Sequence, residues 1–62
     1  MDGQTLKTYR LALGLTQRAL GQAIGMSANQ VARMERGERK ILPRTLIAVR
    51  LLLQYRRSTI AG

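Results

Sequence analysis

The chain lacks the residue types on which most catalytic and metal sites are built. Its 62 residues contain no cysteine, no histidine and only three acidic residues. Without them there is no disulfide framework, no thiolate or imidazole ligand for a metal, and no histidine base. Three scattered carboxylates also form no pairing of a nucleophile with a base. The sequence therefore predicts no enzyme, no metal site and no cofactor.

Long apolar runs and aromatic residues are scarce as well. No run approaches the roughly eighteen apolar residues of a membrane span, and the N-terminus lacks the basic and then apolar order of a signal peptide. We therefore expect no membrane partner and a cytoplasmic location. The only aromatic residues are two tyrosines, which leave little surface for stacking unpaired bases.

Basic residues, in contrast, are abundant. Eleven lysines and arginines against three acids give a net charge of +8. Eight of the eleven lie in the second half of the chain, namely Arg33, Arg36, Arg39, Lys40, Arg44, Arg50, Arg56 and Arg57. This excess favours a polyanionic partner, which is DNA, RNA or an anionic membrane. A chain of this length forms one small domain, near the lower limit for folding alone.

Two helices with matching start and stop signals follow one another in the middle of the chain. Thr16 is a good N-cap for the first helix, and Gly25 ends it. Ser27 starts the second through a Ser-x-x-Gln capping box, and Gly37 ends it. Gly21 lies inside the first helix, where a glycine costs about 1 kcal/mol relative to alanine. We attribute its presence to the close approach of another helix. Two short capped helices joined by a tight turn are typical of a helix-turn-helix unit.

The sequence predicts four helices and no strand. The predicted helices run from about Gln4 to Leu13, from Gln17 to Ile24, between Ser27 and Gly37, and from Pro43 to Tyr55 or Arg57. The predicted fold is all-α, a compact bundle of four or five short helices with a central helix-turn-helix. Residues 1–57 form its single domain, and residues 58–62 are predicted as a flexible C-terminal tail.

The segment from Arg10 to Gly37 resembles the helix-turn-helix of lambdoid phage repressors and Cro proteins, the XRE-like family. The matching residues are Arg10, the run Leu13-Gly14-Leu15-Thr16-Gln17, Leu20, Ile24-Gly25, Ser27, Val31, Glu35 and Gly37. The resemblance implies a helical bundle that binds double-stranded DNA, usually as a dimer on inverted repeats. Small members often come from phages or mobile elements, where they repress their own operon, as in toxin–antitoxin pairs or beside anti-CRISPR genes.

The resemblance also implies which residues read bases. The expected base contacts are Ser27, Ala28, Asn29, Gln30 and Arg33. At about 100° per residue, Asn29 and Arg33 point outward when Val31 and Met34 face inward. Asparagine suits adenine and arginine suits guanine, whereas alanine offers at most an apolar contact to a thymine methyl group. The alternative for Arg33 is an exposed charge without a base partner.

The same resemblance implies a phosphate contact at Gln17 and one internal ion pair, and the basic charge around the following loop adds further phosphate contacts. The expected phosphate contacts are Gln17, Arg36, Arg39, Lys40 and Arg44. Such contacts supply affinity without sequence preference, and a solvated basic loop is the alternative. Arg10 and Glu35 match an ion pair between helices 1 and 3, which we expect to set the pose of helix 3.

The fourth predicted helix has more apolar surface than one small core can bury. Leu46, Val49 and Leu53 form the stripe assigned to the core. The residues left for a partner are Ile47, Leu51, Leu52 and Tyr55. This surplus predicts a homodimer.

Together these patterns predict a sequence-specific transcription regulator, a repressor that binds an inverted-repeat operator as a homodimer. The alternative is an antitoxin or other interaction protein whose fourth helix binds a cognate toxin or another protein, and a co-purifying partner would favour it. A non-specific nucleoid or RNA-binding protein fits less well, because it needs no capped recognition helix.

Overall fold

The computed structural model describes the backbone of residues 1–61 and the side chains of residues 1–56. Its four helices are α1 (Gly3–Ala12), α2 (Gln17–Ile24), α3 (Ala28–Glu35) and α4 (Pro43–Ala61). Residues 1–61 contain no strand. The predicted all-α fold with a central pair of short helices is therefore confirmed.

Side-chain caps begin the first three helices. Thr16 Oγ1 accepts a hydrogen bond from the Ala19 N–H at 3.0 Å, as predicted. Ser27 Oγ accepts from the Gln30 N–H at 3.1 Å, while Gln30 Oε1 accepts from the Ser27 N–H at 2.9 Å. This reciprocal pair is the predicted capping box. Asp2, which the sequence reasoning missed, caps α1 by accepting from a first-turn N–H at 2.8 Å.

The same turn ends α1, α2 and α3. A glycine with positive φ follows each helix, at Gly14, Gly25 and Gly37. The next residue then donates its N–H to a carbonyl five positions earlier, from Leu15 to Arg10, Met26 to Gly21, and Glu38 to Arg33. This is the Schellman arrangement, which needs a residue in the left-handed conformation. Glycine adopts that conformation at little cost. Each turn folds the chain back sharply onto the helix that it leaves.

One hydrophobic core receives side chains from all four helices. Its completely buried members are Leu6, Leu20, Val31, Met34 and Val49. Burying each such side chain contributes about 1.5–3 kcal/mol. The predicted inward orientation of Val31 and Met34 is confirmed, so the opposite side of α3 faces solvent.

Gly21 makes room for a turn and not for a second helix, which corrects the prediction. A Cβ atom at this position would lie 2.4 Å from the Met26 carbonyl oxygen and 3.2 Å from the Ser27 carbonyl carbon. The hydrogen bond from the Met26 N–H to the Gly21 carbonyl draws this backbone onto α2. Gly21 therefore sets how closely the start of α3 follows the end of α2.

The last helix is longer than predicted. It continues to Ala61, beyond the predicted end at Arg57. The physical reason is that no glycine or proline after Pro43 interrupts it before Gly62. The backbone of residues 58–61, predicted as a loose tail, is therefore helical, and Gly62 lies outside the described residues. The flexibility of this segment stays a prediction.

Candidate nucleic-acid interface

The solvent-facing side of α3 carries two polar side chains suited to reading bases. Asn29 and Arg33 are exposed, one turn apart on the side opposite Val31 and Met34. Among residues 1–56, neither side chain forms a hydrogen bond to another residue. Both are therefore available to an external partner. Their chemistry suits the donor and acceptor patterns that adenine and guanine present in the major groove.

Ser27 and Gln30 offer hydrogen-bond donors at the start of the same helix. Their capping box occupies Ser27 Oγ and Gln30 Oε1 as acceptors from backbone N–H groups. The serine hydroxyl hydrogen and the glutamine NH₂ group remain to donate. Both positions can therefore donate to base acceptors such as purine N7, and each capping oxygen keeps a second lone pair. Between them, Ala28 is half-buried and provides only a methyl group.

The residues predicted to hold phosphates lie at the start of α2, in the loop after α3 and in the first turn of α4. Arg39 and Lys40 are exposed in the loop after α3, and Arg44 is exposed in the first turn of α4. Gln17 is half-buried at the first position of α2. The amide of Gln17 is partly engaged inside the protein, because its Nε2 donates to Glu35 Oε1 at 3.2 Å.

Arg36, also predicted as a phosphate contact, already has an acidic partner. Its Nε donates to Glu38 Oε2 at 2.6 Å, and its Nη2 donates to Glu38 Oε1 at 3.4 Å. Both side chains are more than half exposed. The hydrogen bond from Arg36, its charge and the charge of Arg33 lower the pKa of the Glu38 carboxyl. Glu38 therefore places a negative charge beside two arginines predicted to bind DNA, and the sequence reasoning gave it no role.

A second, nearly buried ion pair joins α1 to α3. Arg10 Nε donates to Glu35 Oε2 at 2.6 Å, and Arg10 Nη2 donates to Glu35 Oε1 at 3.2 Å. The side chains are 10% and 5% exposed. Arg10 Nη1 also donates to the Leu15 carbonyl at 3.0 Å, in the turn between α1 and α2. The predicted pairing of Arg10 with Glu35 is thus present in the structure, and it also ties in the turn and Gln17.

The surroundings of Glu35 favour its charged form. Burial by itself would raise the pKa of this carboxyl. Hydrogen bonds from Arg10 and Gln17, together with the charges of Arg10 and Lys7, outweigh burial and lower the pKa. At neutral pH Glu35 is therefore an anion that holds three helices by charge-assisted hydrogen bonds.

Gly3 brings α1 against the C-terminal end of α3. A Cβ atom at this position would lie 2.4 Å from the carbonyl oxygens of both Met34 and Glu35. Any side chain here would push the first turn of α1 away from the last turn of α3. The sequence reasoning missed this contact, because a glycine at the start of a helix gives no signal that a distant helix end lies against it.

The outer face of α4 carries exposed apolar side chains. Ile47, Leu51 and Tyr55 follow one another at four-residue intervals and are 58%, 59% and 75% exposed. Leu52, assigned to the same face from the sequence, instead packs half-buried against the core. The reason is that Leu52 follows the buried Val49 by three residues and so lies on the same side of the helix.

The helix-turn-helix family model matches residues 6–60, which span all four helices. The chain belongs to the XRE-type helix-turn-helix family. It is a DNA-binding transcription regulator of that type. No match was found among curated proteins or among solved structures.

In the described part of the chain, no helix has the length and apolar character needed to cross a membrane. No cluster of three or more potential metal ligands occurs among the described residues.

Proposed function

We propose that this helix-turn-helix protein is a repressor that occupies an inverted-repeat operator as a homodimer, in the cytoplasm. The α3 helix of each protomer enters the major groove and reads bases with Ser27, Ala28, Asn29, Gln30 and Arg33. The observation that carries the proposal is the exposure of Asn29 and Arg33 on a short helix that is fastened at both ends. A fixed helix presents these side chains to base edges in one register.

Backbone phosphates supply most of the affinity in this proposal. The contacts are Gln17, Arg36, Arg39, Lys40 and Arg44. Gln17 has a further N–H of its amide to donate while it holds Glu35, and it lies at a helix N-terminus that favours anions. Arg39 and Lys40 in the loop and Arg44 in the first turn of α4 are exposed, as a phosphate contact requires.

The proposed dimer forms through the outer face of α4. Ile47 and Leu51 are large apolar side chains, each more than half exposed. Pairing two copies of this face would remove them from water, and apolar burial of this kind drives most protein association. A symmetric dimer would place its two recognition helices about 34 Å apart, on successive major grooves. An operator occupied in this way blocks access by polymerase.

The first experiment selects bound duplexes from a random DNA pool, because an inverted repeat among them defines the operator. Asn29→Ala and Arg33→Ala are then measured on this operator and on random DNA of equal length. Each variant should lose about 1–3 kcal/mol of discrimination, so that operator binding weakens far more than binding to random DNA. Arg39→Ala should instead weaken binding to both duplexes alike and reduce the salt dependence.

Arg50→Ala serves as the control for the loss of one positive charge. Arg50 is exposed on α4 and has no place in the proposed interface with DNA. Its variant should bind both duplexes nearly as the parent does. Selection that recovers no common sequence, or equal losses on both duplexes for Asn29→Ala and Arg33→Ala, would contradict the proposal.

A further inference from the structure

Glu38 is held at the end of the recognition helix by its own backbone. The Glu38 N–H donates to the Arg33 carbonyl at 2.8 Å, as the closing bond of the turn at Gly37. This bond folds the residue back over the last turn of α3. The position of Glu38 therefore depends on the main chain of a capped helix and not on a loosely placed loop.

The carboxylate of Glu38 faces the basic side chains of that turn. It accepts two hydrogen bonds from Arg36, at 2.6 and 3.4 Å, and the charge of Arg33 also acts on it. Asp2 and Glu35, the other two acids of the chain, are occupied elsewhere, since one caps α1 and the other is enclosed by Arg10 and Gln17. Glu38 is thus the one acidic residue of residues 1–56 that lies against the cations proposed to bind DNA.

The pair of Arg36 with Glu38 is easily exchanged. Both side chains are more than half exposed, and ion pairs in water contribute little net stability because solvent screens them and the side chains lose freedom. A phosphate group can replace the carboxylate on Arg36, with equally good bidentate geometry. The displaced carboxylate then remains near the DNA, where it repels other phosphates.

We propose that Glu38 is a specificity-determining residue that weakens binding to non-operator DNA. It does so by occupying Arg36 and by placing one negative charge against the phosphates. This inference rests on the proposed function. Binding to random DNA derives almost wholly from phosphate contacts and averages over many registers, so one opposing charge weakens it in full. On the operator, base contacts hold the protein in a single register. In that register the Glu38 side chain can turn away from the phosphates or accept a hydrogen bond from a cytosine amino group.

The test compares Glu38→Gln with the parent on the selected operator and on random duplex DNA over a range of salt concentrations. One more effective phosphate contact should steepen the slope of log K against log salt by about 0.9 on random DNA. Affinity for random DNA should then rise about 8-fold at 0.1 M salt and about 3-fold at 0.3 M. Affinity for the operator should rise less than about 2-fold, so the specificity ratio falls.

Two further variants show whether the effect belongs to this position. Gln54→Lys changes the net charge by the same amount, but lies about 16 Å along α4 from Pro43. It should leave the specificity ratio unchanged. In an Arg36→Gln background, Glu38→Gln should have a smaller effect than in the parent, because one of the cations that it releases is gone.

Equal tightening on operator and random DNA, or an unchanged random affinity, would overturn the inference while leaving the proposed function intact. An equal shift with Gln54→Lys would also overturn it, because net charge alone would then account for the change. A parent that does not distinguish any selected duplex from random DNA would instead refute the proposed function itself.

Discussion

The C-terminal end of α3 and the outer face of α4 are constructed in opposite ways. At the end of α3, Glu35 accepts from Arg10 and Gln17, and Gly3 allows α1 to approach two backbone carbonyls. On the outer face of α4, large apolar side chains stand more than half exposed. The first region fixes a helix relative to its neighbours within one chain. The second leaves apolar surface that a second molecule can cover, so the contrast separates the surface proposed to read DNA from the surface proposed to assemble protomers.

The largest effect should come from Glu35→Ala, which disrupts the contacts at the C-terminal end of α3. We call these contacts the fixed region. This change leaves Arg10 nearly buried without its carboxylate and frees the end of α3. We expect a loss of about 3 kcal/mol in the free energy of unfolding, the lower end for a broken buried pair, because Arg10 keeps its bond to Leu15. A domain of this size has about 3–9 kcal/mol in total. Urea unfolding measures the loss, and operator affinity should fall with it.

Glu38→Ala is the matched control within the same chain. It removes a carboxylate that also pairs with an arginine through two hydrogen bonds, but in solvent. Its midpoint of unfolding should stay close to that of the parent. If both variants unfold at the same urea concentration, the fixed region does not depend on Glu35.

The second effect concerns the outer face of α4, and Leu51→Glu tests it. A carboxylate at this position would be buried without a partner in the proposed dimer, but would be solvated in a monomer. The variant should keep its helical content and sediment as a monomer. Its operator affinity should fall about 100-fold or more, because two half-sites are no longer bound as one linked event. Sedimentation and operator titration of the parent and the variant give both quantities.

Leu11→Glu provides the control, since Leu11 is 58% exposed on α1 and Leu51 is 59% exposed. The Leu11 variant should remain a dimer. A parent that is monomeric at micromolar concentration would contradict the proposed dimer. If the parent is monomeric alone but co-purifies with a second protein in a way that Leu51→Glu abolishes, the face binds a different partner.

The sequence was sufficient for features that depend on neighbours in the chain. The caps at Thr16 and Ser27 and the bounds of α2 follow local rules of helix initiation and termination, and the structure confirms them. The pairing of Arg10 with Glu35 is a long-range contact, and it was accessible only because a family resemblance supplied it. The overall fold was therefore predictable from capping, apolar periodicity and that resemblance together.

Features that depend on how the helices come together were not predictable. Gly3 has no local signal, because the carbonyls that exclude a side chain belong to the end of α3, which is distant in the sequence. Leu52 lies between the core stripe and the partner stripe of α4, so only the packing of the helix shows which of them it joins. The engagement of Gln17 with Glu35 likewise requires α2 and α3 to be packed already. Tertiary packing decides such contacts.

The smallest effect should be a pH dependence that belongs to the fixed region. The pKa of Glu35 is lowered from its ordinary value of 4.5, so the unfolded chain binds a proton at a higher pH than the folded protein does. Its contribution to stability is therefore complete above about pH 4.5 and is lost as the pH falls through the lowered pKa.

Asp2 and Glu38 also have lowered pKa values, so acid should weaken the parent and Glu35→Gln alike through these two groups. The stability difference between the parent and Glu35→Gln isolates Glu35, and it should shrink as the pH is lowered from neutral to about pH 3. Urea unfolding of both proteins across this range measures that difference. A difference that stays constant would show that the carboxylate of Glu35 holds the end of α3 no better when charged than when neutral.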